Sequence, residues 1–159
     1  LRELLGQLPQ AGTDEHPLTC TARITLAANP VMRKSPYAGM IFNGLGRPMN
    51  LDSVSATLPA SMGGNKTPII DSRLLADKDA EDWVKAYHAG LSGGSVTPEF
   101  KLAPSFLRRL TIMESAMIQT FPPDYDFKGS KSSIYTQIGN AVPCKLAEVV
   151  AKSAIAAYL

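Results

Sequence analysis

The chain has 159 residues, enough for one domain that buries a core. Hydrophobic residues make up 45% of it, yet no apolar run approaches the roughly 18 residues of a membrane span, so we expect a soluble protein without a membrane partner. The formal net charge of +2 is too small to indicate nucleic-acid binding by itself, and such a function must rest on local patches.

The first part of the chain, up to residue 67, predicts short strands separated by loops. Extended segments at 23–26, 40–42 and 55–58 alternate with Asn-Pro, Asn-Gly and Gly-Gly turns. Residues 68–70 predict one more strand, and 12 glycines with 12 prolines predict much loop for so short a chain. We therefore expect an irregular α+β fold with a few helices.

Residues 79–91 predict the first long helix. Trp83 and Tyr87 lie one turn apart on one face, and Gly93 and Gly94 mark its end. Acidic residues crowd its start, where the helix dipole favours negative charge, so we assign them no metal site. These acidic residues are Asp77, Asp79, Glu81 and Asp82.

A capping box predicts the start of a second helix. Thr111 accepts the amide of Glu114, whose carboxylate reaches back to the capping residue. Pro122 and Pro123 then stop this helix. The side chains expected on its buried apolar face are Met113, Ala116, Met117 and Phe121.

The last predicted helix begins at Pro143, a favoured first-turn residue, and runs to about Tyr158. Apolar residues recur on it at helical spacing, so one face needs a partner to pack on. These residues are Leu146, Val149, Val150 and Ala154.

The loop 63–67 has the sequence Gly-Gly-Asn-Lys-Thr. It is not a nucleotide-binding P-loop, because Asn65 separates the glycines from Lys66. Two interpretations remain, a plain glycine-rich turn and a loop that contacts a DNA backbone or base.

The region 31–67 is locally positive, with four basic residues against a single acid. Basic and hydroxyl groups in loops suit phosphate and base-edge contacts, although the same bias also occurs on ordinary solvated surfaces. The four basic residues are Arg33, Lys34, Arg47 and Lys66.

The remaining reactive side chains do not predict a hydrolytic site. His16 and His88 have no partner at catalytic spacing, and we expect His88 to be a surface or packing residue. Cys20 and Cys144 are too few and too far apart for a disulfide scaffold or a zinc site, which favours a reduced, cytoplasmic setting. A helix start could make Cys144 reactive, but packing is the favoured interpretation.

Three segments occur in a fixed order near the end of the chain. Residues 108–116 contain Arg-x-x-Thr-x-x-Glu, residues 119–122 read Gln-Thr-Phe-Pro, and residues 135–143 contain Gln-x-Gly-Asn-x-Val-Pro. Together they resemble the ninth and tenth shared motifs of the DNA (cytosine-5)-methyltransferases. Residues 43–48 and 56–68, which include a Thr-Leu pair, resemble the variable target-recognition region of that family.

The resemblance implies a division of the chain. Residues 1–28 would link it to an absent catalytic domain, 29–107 would be the target-recognition region, and 108–159 would return to that Rossmann-like domain, on which the last helix would pack. The family's cofactor loop, nucleophile loop, Glu-Asn-Val and Arg-x-Arg motifs have no counterpart here, and Cys144 is not the nucleophile. We therefore expect a piece of a longer protein or a subunit, inactive alone and without catalytic residues.

The resemblance also implies roles for individual residues. Asn140 and Ala141, next to the start of the last helix, would contact S-adenosylmethionine, the cofactor that the absent domain would mainly bind. Arg109, Thr111 and Glu114 would have structural roles in organising the recognition region. The residues expected to contact DNA are Arg33, Lys34, Arg47, Thr57, Leu58, Ser61, Gly63, Gly64, Asn65 and Lys66.

Two functions remain open. One is part of a DNA (cytosine-5)-methyltransferase, which acts on double-stranded DNA with its catalytic half on the same polypeptide or on a separate one. The other is a non-catalytic DNA-binding module. The Gly-Asn segment and the apolar last helix favour the first, because a mere DNA binder needs neither a cofactor edge nor an exposed apolar face.

Overall fold

The computed structural model describes residues 1–158, and in that range it shows a small α+β fold of short elements joined by long loops. The helices are α1 (Arg2–Leu5), α2 (Ser72–Ala76), α3 (Trp83–Gly93), α4 (Ile112–Ile118), α5 (Lys131–Asn140) and α6 (Cys144–Tyr158). The strands are β1 (Leu26–Val31), β2 (Met40–Phe42), β3 (Ile69–Asp71) and β4 (Leu107–Arg109). No helix among the described residues is long and apolar enough to cross a membrane.

The strands form two antiparallel pairs. β1 pairs with β2, with Leu26 opposite Phe42 and an irregular register beyond that point. β3 pairs with β4, with Ile69 opposite Arg109. This second pairing brings Arg109, from the later half of the chain, next to the loop that precedes β3.

Two hydrophobic clusters hold these elements together. The first surrounds α5, where Tyr135 and Ile138 are fully buried, and the second lies between the strands and α3. Buried members of the first cluster are Leu5, Cys20, Met49, Leu51, Leu58, Met62, Ile70, Leu74, Leu110, Tyr135 and Ile138. Those of the second are Ile24, Leu26, Ile41, Phe42, Ile69, Val84, Tyr87 and Leu107.

The resemblance implies that the segment 1–28 is a linker. In the structure this segment is packed into the fold. Leu5 belongs to the first cluster, and His16 is buried. His16 bonds through Nδ1 to the carbonyl oxygen of Pro9 at 2.7 Å and through Nε2 to Oγ1 of Thr111 at 2.7 Å. These contacts tie the segment to the start of α4.

The helix around Trp83 and Tyr87 is confirmed, and their rings stack with centroids 4.7 Å apart. It begins at Trp83, later than predicted, because the Asp82 carboxylate accepts the amide of Lys85 and caps it there. The strand predicted at 55–58 is wrong. Among the described residues no strand lies beside this segment to satisfy its backbone, so it remains a loop.

The helix that the capping box predicts is confirmed as α4, but its buried face differs from the prediction. Its fully buried residues are Glu114 and Ser115, whereas Met113 and Met117 are only half-buried. Polar residues face inward here because each finds a hydrogen-bond partner inside the fold. Helix α5 was not predicted from the sequence. Ser130 caps its start by accepting the amide of Ser133 at 3.2 Å.

Candidate functional site

An open cleft of about 730 Å³ lies between the loops that precede β3. Arg47 and Lys66 line it, and among the described residues of its lining there is no carboxylate. Hydroxyl and amide side chains complete its polar surface, while Leu45 and Val54 present exposed apolar groups. A positive, open cleft with mixed polar and apolar groups suits a polyanionic ligand that also presents hydrogen-bonding groups to the protein. Its hydroxyl and amide residues are Ser35, Tyr37, Asn50, Ser53, Ser55 and Thr57.

The residues expected to contact DNA fall into three groups. Arg47, Thr57 and Lys66 line the cleft. Exposed Arg33 and Lys34 lie outside its lining. The others occupy the adjoining loop and are Leu58, Ser61, Gly63, Gly64 and Asn65.

Within that loop the side chains differ in exposure. Ser61 and Asn65 are exposed, and Gly64 has open space around it. Leu58 is only 4% exposed and packs in the first cluster. Its side chain therefore anchors the loop and is not available to face a base.

Arg109 ties the same loop to the core. Its Nη1 donates to the carbonyl oxygens of Thr67 at 2.6 Å and of Asn65 at 3.2 Å. Burial lowers the pKa of the Arg109 guanidinium, but arginine keeps its proton. A Cβ added at Gly46 would overlap both this guanidinium and the Thr67 carbonyl oxygen, so only glycine leaves room for the contact.

The capping box at the start of α4 is confirmed. The Glu114 amide donates to Thr111 Oγ1 at 3.1 Å, and the Thr111 amide donates to Glu114 Oε2 at 2.8 Å. Glu114 also accepts two hydrogen bonds from the guanidinium of Arg108, at 2.6 and 2.8 Å. The buried carboxylate is thus paired, as a buried charge must be. Arg108 was not among the residues predicted from the sequence to have a role, although it is the first residue of Arg-x-x-Thr-x-x-Glu.

A side chain at the end of α4 holds the turn between α5 and α6. Gln119 is buried, and its Nε2 donates to the carbonyl oxygens of Ile138 at 2.9 Å and of Ala141 at 3.2 Å. Asn140 is the last residue of α5 and is exposed. Gln119, another residue without an assigned role, therefore fixes the position of Asn140 and Ala141.

The backbone amides around this turn already have acceptors. The Ala141 amide donates to Ile138, and the Cys144 amide donates to the carbonyl oxygen of Gln119 at 3.1 Å. The Lys145 amide donates to Thr120 Oγ1 at 2.9 Å. The ninth motif thus supplies the acceptors for the Cys144 and Lys145 amides, while the Ala141 amide is satisfied within α5.

The apolar face of α6 is exposed. From Lys145 to Ala157 every side chain is exposed to solvent. Large apolar side chains on the helix are more than half exposed, which leaves a hydrophobic surface without a partner in the described part of the chain. They are Leu146, Val149 and Val150 on one face, with Ile155 on the opposite side of the helix.

The family model for C-5 cytosine-specific DNA methylases matches residues 20–156, which is most of the chain. The chain therefore belongs to the C-5 cytosine-specific DNA methylase family. Together with a positive cleft on a small α+β fold, this membership relates the chain to DNA methylation.

Its curated relatives are Type II methyltransferases. M.PspPI of Psychrobacter sp. is 58% identical over 52 residues, 33% of this chain and 12% of the relative. M.Eco47II of Escherichia coli is 50% identical over 52 residues, with the same coverage of 33% and 12%. M1.HphI of Haemophilus parahaemolyticus is 32% identical over 95 residues, 58% of this chain and 25% of the relative. The chain thus matches only a small part of each relative, and no solved structure matches it.

Proposed function

We propose that the chain is the target-recognition part of a DNA (cytosine-5)-methyltransferase of a restriction-modification system. It binds double-stranded DNA and completes the S-adenosylmethionine pocket of a catalytic half, which lies on the same polypeptide or on a separate subunit. The observation that carries this proposal is the positive cleft on a member of the cytosine methylase family.

The cleft supports a role in DNA binding. Arg47 and Lys66 are exposed at its surface and suit phosphate or guanine contacts. Exposed Arg33 and Lys34 extend the positive surface beyond the cleft. The residues proposed to read bases or to allow close approach of the duplex are Thr57, Ser61, Gly63, Gly64 and Asn65.

The turn after α5 supports a role in binding the cofactor. Asn140 offers an exposed carboxamide, and Gln119 holds the neighbouring Ala141 in place. Such a carboxamide can donate to and accept from the polar groups of the methionine part of S-adenosylmethionine. The cofactor, bound mainly by the catalytic half, supplies the methyl group.

The exposed face of α6 supports the proposal that the chain binds a catalytic half. A helix with large apolar side chains exposed along its length needs a surface to cover it, and the proposed occupant is the Rossmann-like catalytic half. In that arrangement the flipped cytosine enters the catalytic half while this chain holds the duplex.

The test is transfer of labelled methyl groups from S-adenosylmethionine to duplex DNA. The assay compares this chain alone, a separately produced chain with the missing motifs alone, and the two mixed. Transfer only on mixing supports the proposal. If the mixture of folded chains transfers nothing while DNA still binds to this chain, the non-catalytic module is the correct alternative.

A second test addresses the cleft itself. The double variant Arg47→Ala, Lys66→Ala should reduce the slope of log affinity against log salt by about two, because two phosphate contacts are lost. The control removes equal charge outside the cleft, with Arg23→Ala and Lys78→Ala. Equal effects of the two double variants in fluorescence anisotropy would contradict a specific role of the cleft.

A further inference from the structure

The loop 57–66 rests on one face of α5. A Cβ added at Gly139 would lie 2.6 Å from the Pro59 carbonyl oxygen and 2.6 Å from the Ala60 Cα. A Cβ added at Gly63 would lie 3.2 Å from Ser132 Oγ. The loop and the helix therefore touch at two points. At Gly139 only a glycine leaves room for the loop backbone, whereas at Gly63 the neighbour is a side chain and the contact is only tight.

The helix side of this contact is a single face. Ser132, Tyr135 and Gly139 follow one another at spacings of three and four residues, which places them in one row. Tyr135 is fully buried, and its hydroxyl donates to the carbonyl oxygen of Leu110 at 2.7 Å. The same hydroxyl bonds to Thr19 Oγ1 at 2.8 Å. Because these two hydrogen bonds fix α5 to the core through Tyr135, bulk added on this face should displace the loop.

We propose that Gly139 is a positioning residue for DNA reading, although it belongs to the motif assigned to the cofactor. Its missing side chain lets the loop 57–66 seat on α5, so one helix sets both the position of this loop and that of Asn140. The proposal rests on the proposed function, because it assumes that the loop contacts DNA. It goes further in assigning a residue of the tenth motif to site selection.

Gly139→Ala should have the opposite effect to an ordinary glycine-to-alanine substitution in a helix. Alanine is a better helix former than glycine, so Gly139→Ala favours α5 itself. At this position, however, the new methyl group meets backbone atoms of the loop, which cannot rotate away as a flexible side chain would. The substitution should keep the helix and displace the loop.

The first experiment is amide hydrogen exchange on the chain with Gly139→Ala. Amides inside the loop should exchange about tenfold faster than in the unsubstituted chain. The Gly63 amide donates to Thr67 Oγ1 at 2.9 Å and the Thr67 amide donates to the carbonyl oxygen of Gly64 at 3.0 Å, and both bonds exist only while the loop keeps its shape. The control is Gly93→Ala at the end of α3, where an added Cβ meets nothing within 4 Å. Unchanged exchange in the loop would overturn the proposal.

Ser132→Leu tests the other end of the same face. Its larger side chain lies under Gly63 in the first turn of α5, and it should speed exchange in the loop without the backbone overlap of Gly139→Ala. If Gly139→Ala does not fold, this variant decides the matter. Unchanged exchange in the loop of Ser132→Leu would then overturn the proposal.

The second experiment uses the chain combined with its catalytic half and a duplex library with a random central segment, read by bisulfite sequencing. Gly139→Ala should reduce the preference for the best site over single-mismatch sites by about tenfold. The concentration of S-adenosylmethionine for half-maximal rate should hardly change. The reverse pattern, weaker cofactor binding with site preference intact, would overturn the proposal. Hydrogen exchange needs neither DNA nor the catalytic half, so an inactive unsubstituted mixture would contradict the proposed function alone.

Discussion

Replacing Thr111 with alanine removes a hydroxyl that two buried groups need. Thr111 Oγ1 accepts the amide of Glu114 at 3.1 Å, so its own proton is free to point to Nε2 of His16 at 2.7 Å. In this arrangement the proton of His16 is on Nδ1, which donates to the carbonyl oxygen of Pro9. Thr111→Ala therefore leaves both a helix amide and a ring nitrogen without partners.

The two losses give the expected magnitude. Loss of an N-cap hydroxyl costs about 0.5–2 kcal/mol. An unsatisfied buried polar group costs about 1–3 kcal/mol. Thr111→Ala should therefore reduce the free energy of unfolding by about 1.5–5 kcal/mol, which is roughly 3–20 °C in Tm for a chain of this size.

The assay is urea unfolding followed by fluorescence, for which the single tryptophan, Trp83, is a convenient probe. Thr111→Ser is the matched control, because it keeps the hydroxyl and loses only a methyl group, at about 0.8 kcal/mol. His16→Ala completes a double-mutant cycle, in which a coupling energy of about 1 kcal/mol or more is expected. Equal destabilisation by Thr111→Ser and Thr111→Ala, or additive effects in the cycle, would refute the reasoning.

Three further predictions concern the buried groups around the loop. Burial raises the pKa of Tyr135 above its ordinary value near 10, so its contribution to stability is complete below pH 10 and is lost as the pH rises further. In urea unfolding above pH 10, Tyr135→Phe should make the fall of the unfolding free energy with pH shallower by about 1.4 kcal/mol per pH unit. Arg109→Lys should lower the free energy of unfolding by about 2–3 kcal/mol, because an ammonium cannot reproduce the planar set of donors. The control is Arg23→Lys at an exposed position, which should change stability by less than about 0.5 kcal/mol. Gly46→Ala should cost about 3 kcal/mol or more by thermal unfolding, and a stable variant would show that Arg109 does not need this space.

Local patterns in the sequence determined several features of this protein. The capping box of α4, the stacked aromatic pair of α3 and the apolar face of α6 each depend on residues within one or two turns. Such patterns can be recognised in a short window, because the interacting groups are neighbours on one helix. The ordered motifs near the end of the chain likewise indicated the family, which the match over residues 20–156 confirms.

Only the tertiary structure decided how these pieces meet. The partner of Thr111 beyond its own helix is His16, 95 residues away, and Arg109 holds Thr67 across 42 residues. No local pattern indicates such pairs, and none showed that Gly139 lies against Pro59. The same limit explains the failed strand at 55–58, since a strand exists only where another chain segment lies beside it to share its backbone hydrogen bonds. Spacing along the chain determines a helix and its caps, whereas packing determines which loop a buried arginine, histidine or glycine supports.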